Sequence, residues 1–258
     1  MKQFGLIGKS LSHSFSKKYF QEKFKTESIL SCSYENLEFG DEKSLYEFLD
    51  QTNFEGLNVT TPYKESVLQA CSTLSKEVEE IGAANVLKKN STGWEAHNSD
   101  VYGFQALLRP HLRGHHQRAL VLGSGGASKA VTFVLKGLGL DFINVSRTAG
   151  AGRATYGQLN KNAVRDFNLI VNTTPLGTFP EIESCPDIPY QFLTEKNLLI
   201  DLVYNPSETL FMKKGKERGA MIANGLEMLK AQAEKSWEIW HSNSELSKHP
   251  NPCRDQNQ

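Results

Sequence analysis

Apolar positions in the first hundred residues come in short runs, separated by stretches with helical spacing. Residues 4–8 form an apolar run that ends in glycine, as a buried strand does. In residues 14–24, Phe15, Tyr19, Phe20 and Phe24 fall at i, i+4, i+5 and i+9, which puts them on one broad helical face. Residues 34–37 suit a second strand, 43–51 a second helix and 56–60 a third strand. Pro62 is expected to open a helix reaching about Cys71, because proline is tolerated in a first helical turn. Residues 83–89 and 94–97 flank Asn90-Ser91-Thr92-Gly93 and predict a hairpin. The result is an alternation of strand and helix.

Residues 101–112 read as a connecting helix, followed by a polar break at Arg113-Gly114-His115-His116-Gln117. His111, His115 and His116 have no carboxylate or cysteine paired with them, so a solvated turn is the better reading and no metal is expected. From Arg118 the pattern changes. Residues 119–123 are continuously apolar up to a glycine, as in a parallel strand buried on both faces. A glycine turn and a helix over 128–138 follow, then strands at 142–145, 169–172, 198–202 and 221–223. That alternation predicts a doubly wound sheet. Residues 226–240 form an amphipathic helix with Leu226, Leu229, Ala233, Trp237 and Trp240 on its apolar face. The polar stretch 242–258, with two prolines, is expected to be loosely held. No internal repeat is visible. The fold class is therefore α/β: an N-terminal α/β domain plus a Rossmann-like, doubly wound dinucleotide-binding domain.

Composition narrows the partners. The chain has 258 residues, 39% hydrophobic and 22% charged, which is ordinary for a globular protein of two domains or one large one. Formal net charge is zero, so no global field favours nucleic acid, a membrane or an acidic partner, and any anion site must be built locally. The four cysteines, Cys32, Cys71, Cys185 and Cys253, form no CxxC pair and read as reduced thiols. The N-terminus reads as a first strand and not as a signal peptide. No apolar run approaches the roughly 18 residues of a membrane helix. A cytoplasmic protein is expected.

Chemistry enters first at Gly123-Ser124-Gly125-Gly126-Ala127-Ser128, between a strand and a helix. Glycines let the backbone approach a pyrophosphate, and a helix N-terminus offers unpaired N–H groups. The alternative is a tight turn without a ligand. About twenty residues on, an NAD site usually carries a carboxylate for the ribose 2′-hydroxyl. Here the strand ends Ser146-Arg147-Thr148. A guanidinium there can pair with a 2′-phosphate, which points to NADP.

Three polar clusters stand at strand ends in the first half: Ser12-His13-Ser14-Phe15-Ser16, Asn58-Val59-Thr60-Thr61-Pro62-Tyr63-Lys64, and Asn98-Ser99-Asp100. Asn85 lies within the strand predicted over 83–87. Hydroxyls and amides suit a ligand rich in OH groups. Lys64 falls in the first turn of its predicted helix, where the dipole disfavours a cation and favours proton release, with Asp100 as its ionic partner. Each residue also has a plain structural reading. Ser14 and Asp100 could be helix N-caps, Lys64 a solvated surface residue and Asn58 a turn residue.

Taken in order, these clusters, Gly82-Ala83-Ala84-Asn85, the glycine turn, Asn172-Thr173-Thr174-Pro175-Leu176-Gly177, Asp201-Leu202-Val203-Tyr204-Asn205-Pro206 and Gly225-Leu226-Glu227-Met228-Leu229-Lys230-Ala231-Gln232 resemble the successive motifs of the shikimate dehydrogenase family. The resemblance runs from Gly5 to about Trp240. It implies NADPH-dependent reduction of 3-dehydroshikimate to shikimate, in the biosynthesis of aromatic amino acids through chorismate, by a monomer or homodimer. Ser14 and Ser16 would hold the substrate carboxylate, with Tyr204 near it. Thr60, Asn85 and Gln232 would bond ring hydroxyls, and Asn58 would shape the pocket. Lys64 and Asp100 would be the catalytic pair, with Lys64 as proton donor. Gly123, Ser124, Gly125, Gly126, Ala127, Ser146, Arg147, Thr148, Thr173 and Gly225 would hold NADP(H). The substrate domain would comprise residues 1–100 and 224–258, and the NADP domain 101–223, because Gln232 must return to the substrate.

The chain departs from the family in four places. Lys17 replaces the usual proline after the serine pair. Ala151 stands where a second arginine is frequent, with Arg153 two residues on. Residues 148–155 are too glycine-rich for the second helix of such a domain. Thr178 stands where methionine commonly follows the last glycine of its loop. Two other functions remain open: a quinate/shikimate dehydrogenase of broader specificity, whose members more often use NAD, and a non-catalytic sensor on the same fold. The missing strand-end carboxylate argues against the first, and the presence of both Lys64 and Asp100 against the second.

Overall fold

The computed structural model describes residues 1–12 and 14–242. His13 of the first polar cluster lies outside the described residues, as do Cys253 and the tail from residue 243, which was expected to be loosely held. Contacts divide the chain into two units, Met1–Ser99 with the segment from Ala233, and Asp100–Gln232. The division falls inside the last helix, so residues 224–232 group with the second unit and not with the first, to which the expected boundary at 223/224 assigns them, and Asp100, expected in the first unit, groups with the second.

The first unit is built on a six-stranded sheet in the order β2-β1-β3-β5-β6-β4. Its elements are β1 (Lys2–Gly8), α1 (Phe15–Thr26), β2 (Cys32–Glu38), α2 (Glu42–Gln51), β3 (Gly56–Val59), β4 (Thr73–Leu74), α3 (Lys76–Ile81), β5 (Val86–Asn90) and β6 (Gly93–His97). β1 runs parallel to β2 and β3; β5 is antiparallel to β3 and β6, the latter pair being the expected hairpin. Alternation along β1 feeds two cores. Phe4 and Leu6 join Phe20, Tyr34 and Trp240 on one face, while Ile7 joins Leu45, Leu57, Val67 and Trp94 on the other.

One expected helix does not form. Residues 61–65 are a turn, followed by a short 3-10 helix, Ser66–Ala70. In an α-helix the Lys64 carbonyl would accept the Leu68 N–H. Here it accepts the Ala84 N–H (2.8 Å), and Leu68 N–H goes to the Glu65 carbonyl (3.3 Å). A bond to a distant segment has displaced the helical one. Asn85 is likewise not within a strand: it stands immediately before β5.

The second unit is an all-parallel sheet in the order β12-β11-β10-β7-β8-β9. Its elements are α4 (Ser99–Leu108, beginning one residue before the boundary), β7 (Arg118–Leu122), α5 (Gly126–Gly137), β8 (Asp141–Ser146), β9 (Arg153–Thr155), α6 (Lys161–Asp166), β10 (Leu169–Asn172), β11 (Leu198–Asp201), α7 (Leu210–Lys216), β12 (Met221–Asn224) and α8 (Leu226–His241), which continues into the first unit. β10 and β11 are buried along their whole length, as strands covered on both faces must be. The strand order reverses between β7 and β10, so their carboxyl ends flank the crevice where doubly wound sheets take ligands. The glycine-rich segment forms no helix. It turns at residues 150–152 and returns as β9, an edge strand parallel to β8. Among the described residues no helix is long and apolar enough to cross a membrane. His116 is buried, and its Nδ1 accepts the Arg113 N–H (3.0 Å).

Candidate active site and nucleotide site

In the first unit several expected site residues share one buried polar chain. Ser16, the second residue of α1, is buried and hydrogen-bonded to the Tyr34 hydroxyl. Tyr34 donates to Asn58 Oδ1 (2.8 Å). Asn58 Nδ2 donates to Ser236 Oγ (2.9 Å) and to the Asn85 carbonyl (3.2 Å). Ser236 Oγ lies 3.2 Å from Ser99 Oγ, which accepts from Asn85 Nδ2 (3.0 Å), while Asn85 Oδ1 accepts the Ser99 N–H (2.7 Å). Burial pushes the Tyr34 phenol far above its ordinary value, so it stays a neutral donor. The chain thus fixes the amide orientations of Asn58 and Asn85 at the ends of β3 and β5. Tyr34, Ser99 and Ser236 are the members that the sequence reading did not assign. Ser236 is 178 positions from Asn58, so no local pattern could reveal it.

Around this chain, Ser14 is the N-cap of α1 but makes no side-chain cap bond, and its Oγ is buried with no hydrogen-bond partner among the described residues. Buried hydroxyls are normally paired, so this one is available to a ligand. Thr60 follows β3, with its N–H bonded to the Ile7 carbonyl (2.8 Å). Lys64 lies in the turn after it, half-buried, its carbonyl tied to the residue before Asn85. The helix-dipole reason for a proton-releasing lysine therefore does not hold, since Lys64 starts no helix. In the second unit, Asp100 is buried in the first turn of α4, where a carboxylate complements the helix dipole, and is not an N-cap. Gln232 is buried on α8. Tyr204 is half-buried after β11, and burial raises its phenol above the usual value.

The glycine turn sits at the end of β7. Gly123 has φ +121°, and a Cβ there would lie 2.4 Å from Thr173 Oγ1. Only glycine meets both demands. Thr173 is itself fixed, donating from Oγ1 (2.7 Å) and N–H (2.9 Å) to the Leu122 carbonyl. Ser124 and Gly125 complete the turn. Gly125 is the N-cap of α5 and, without a side-chain cap, leaves the first N–H groups around Gly126 and Ala127 for an anion. Gly225, ahead of α8, packs so closely on the Leu202 carbonyl that a Cβ would approach it to 2.2 Å.

Arg147 follows β8, exposed, with Thr148 next to it; Ser146 Oγ donates to the Thr148 carbonyl (2.6 Å). A cavity of about 550 Å³ is lined by Arg147, Thr155, Tyr156, Leu176, Cys185 and Asp187, among others. β9 forms part of its wall, since Thr155 pairs beside Ser146. Arg153 pairs opposite Asn144, three residues back along β8 from Arg147. A glycine-rich turn, an uncapped helix start and a cavity with a guanidinium at its edge together fit a phosphorylated dinucleotide.

At the carboxyl ends of β10 and β11 lies a further network. Asp201 is fully buried. Its Oδ1 accepts from Asn172 Nδ2 (2.9 Å) and Val203 N–H (3.0 Å), and its Oδ2 from Thr209 Oγ1 (2.5 Å). Burial outweighs these bonds and pushes its carboxyl up to about 6 from 3.8.

Residues 6–87 match the family model described as the shikimate dehydrogenase substrate binding domain. The NADP(+) shikimate dehydrogenase of Caldicellulosiruptor bescii is 34% identical, over 96% of this chain and 92% of its own length. That of Clostridium beijerinckii is 35% identical over 93% and 92%. The crystal structure of the Thermus thermophilus shikimate 5-dehydrogenase in complex with NADP(H) and shikimate aligns with a TM-score of 0.82 and 28% identity, covering 93% of this chain and 94% of that one. Extended similarity of this kind, over nearly the whole of both chains, establishes that the chain belongs to the shikimate dehydrogenase family.

Proposed function

We propose that this protein catalyses the reversible NADP-dependent reduction of 3-dehydroshikimate to shikimate. The observation that carries the reading is the glycine turn at the end of β7 with Arg147, and no carboxylate, at the end of β8, in a chain of this family. NADP supplies the hydride chemistry when bound. Gly123, Ser124, Gly125, Gly126 and Ala127 receive the pyrophosphate; Ser146, Arg147 and Thr148 receive the 2′-phosphate side; Thr173 and Gly225 border the path of the nucleotide.

The substrate residues are part of the same proposal. Ser14 and Ser16 hold the carboxylate, and the buried, unpartnered Ser14 Oγ supports that role. Tyr204 lies near the same group. Thr60, Asn85 and Gln232 bond ring hydroxyls. Asn58 already serves Tyr34, Ser236 and the Asn85 carbonyl, so its part is to hold the pocket's shape. Lys64 and Asp100 are the catalytic pair: Lys64 donates a proton to the carbonyl oxygen as negative charge develops there, and Asp100 bonds a ring hydroxyl. Fixing the Lys64 backbone to Ala84, next to Asn85, keeps donor and hydroxyl-binding amide in register. A cytoplasmic location and a monomeric or homodimeric state belong to the same proposal; the reduced thiols of Cys32 and Cys185 support the former.

Incubation of the protein with 3-dehydroshikimate and NADPH, with product identified by mass and chromatographic retention, tests the reaction. One shikimate per NADPH oxidised is the expected result. No turnover, or NADPH oxidation without shikimate, contradicts it.

A further inference from the structure

Asp201 is a fully buried carboxylate to which the proposed chemistry gives no role. Three segments converge on it. Through Val203 N–H it holds the exit of β11, which leads to Tyr204. Through Thr209 it holds the residue whose Oγ1 also caps α7 by accepting the Met212 N–H (3.4 Å). The third segment is the loop after β10. A carboxylate only accepts hydrogen bonds, so Asn172 must turn its NH2 toward Asp201. That leaves Asn172 Oδ1 facing the loop, where it accepts both the N–H (3.0 Å) and the Oγ1–H (2.6 Å) of Thr174. Thr174 Oγ1 in turn accepts the Leu176 N–H (3.3 Å), and Leu176 lines the cavity beside Arg147. On the near side of Thr174, Thr173 packs under Gly123.

We infer that Asp201 is a positioning residue of the nucleotide site: its buried carboxylate orients Asn172, and Asn172 sets the 173–177 loop against the glycine turn and the cavity at Arg147. The inference rests on the dinucleotide site proposed above. It adds that the loop is aimed by a hydrogen-bond acceptor pattern set from beneath the sheet end and not by the loop's own residues. What matters is the pattern of acceptors. An asparagine at 201 can reproduce most of it, keeping its Oδ1 toward Asn172 and Val203 while Thr209 Oγ1 reverses to accept from its NH2.

The test is NADPH binding, read by nucleotide fluorescence, alongside thermal unfolding and the KM for shikimate. Asp201→Ala is expected to raise the NADPH Kd about tenfold, the effect of losing one or two anchoring bonds, with a much smaller change in the KM for shikimate. Asp201→Asn should recover most of that loss. Thr174→Val, which cuts the chain beyond Asn172 at a partly exposed position, should weaken NADPH binding several-fold and gives the same readout if Asp201→Ala fails to fold. Folded Asp201→Ala or Thr174→Val protein with wild-type NADPH affinity overturns the inference, and so does Asp201→Asn that binds as weakly as Asp201→Ala. Wild-type protein that binds no NADPH overturns the dinucleotide site and the inference together.

Discussion

Tyr34→Phe removes one buried hydroxyl while leaving its ring stacked on Phe20, with centroids 4.5 Å apart. Packing is therefore preserved and the polar chain alone is cut. Asn58 Oδ1 loses its Tyr34 donor, and at 5% exposure of Asn58 water cannot take its place. Leaving a buried acceptor unsatisfied costs about 1–3 kcal/mol. In a protein of this size each kcal/mol lowers Tm by about 2–4 °C, so the expected loss is about 2–12 °C. The Asn58 amide also loses the bond that fixes its orientation, which loosens its grip on the Asn85 carbonyl and Ser236. The KM for shikimate should rise several-fold, since one or two hydrogen bonds at the pocket are disturbed. The KM for NADPH should stay unchanged, because no nucleotide residue belongs to this network. Differential scanning fluorimetry and steady-state kinetics give both numbers. An unchanged Tm with an unchanged KM for shikimate would refute a structural and functional role for the network. Equal rises in both KM values would show general loosening instead.

Gly123→Ala forces a side chain into a left-handed backbone position and against Thr173, and should cost about 1–3 kcal/mol together with a clear loss of NADPH affinity; calorimetric unfolding and titration check both, and wild-type values would contradict the packing described. Arg147→Ala should weaken NADPH binding about ten- to a hundredfold with little effect on NADH, whereas equal losses would mean that Arg147 does not read the 2′-phosphate. Lys64→Ala should lower kcat by about 10²–10⁴-fold with NADPH affinity nearly unchanged; a near-normal kcat with only a raised KM would make Lys64 a binding residue. For Asp201, the carboxyl is raised from 3.8 to about 6 on folding, so the ionised form costs about 3 kcal/mol of stability above pH 6, a cost relieved as pH falls from 6 toward 3.8. Asp201→Asn should therefore melt higher than wild type at pH 7.5 and lose that advantage near pH 4, while a gap independent of pH would remove burial as its cause.

Where one element's own spacing decides its structure, the sequence was legible. The Phe15–Tyr19–Phe20–Phe24 face of α1, the buried strands β7, β10 and β11, and the hairpin of β5 and β6 all stand where apolar pattern and turn residues put them. The short helices and the two shortest strands were not legible. α3, α6 and α7 have six or seven residues, too few for a helical period to emerge, and are marked only by their caps Ser75, Asn160 and Thr209. β4 and β9 are two and three residues long. The helix expected after Pro62 fails because Ala84 claims the Lys64 carbonyl, a contact no local pattern announces. The same limit applies to the site. Motifs bring out Ser14, Asn58, Lys64 and Gly123, but the parts of Tyr34, Ser236 and Asp201 follow only from neighbours brought in by other elements. Residues 148–155 are too glycine-rich for a helix and form none, yet the edge strand at the end of this segment depends on pairing with β8.

Steady-state kinetics with shikimate and quinate, each with NADP+ and NAD+, test the central claim most directly. The account predicts that kcat/KM is highest for shikimate with NADP+, and that it drops steeply both when quinate replaces shikimate and when NAD+ replaces NADP+. Comparable values for quinate, or a preference for NAD+, would contradict it in favour of a broader quinate/shikimate enzyme, and no turnover of either substrate with either cofactor would contradict it in favour of a non-catalytic binder.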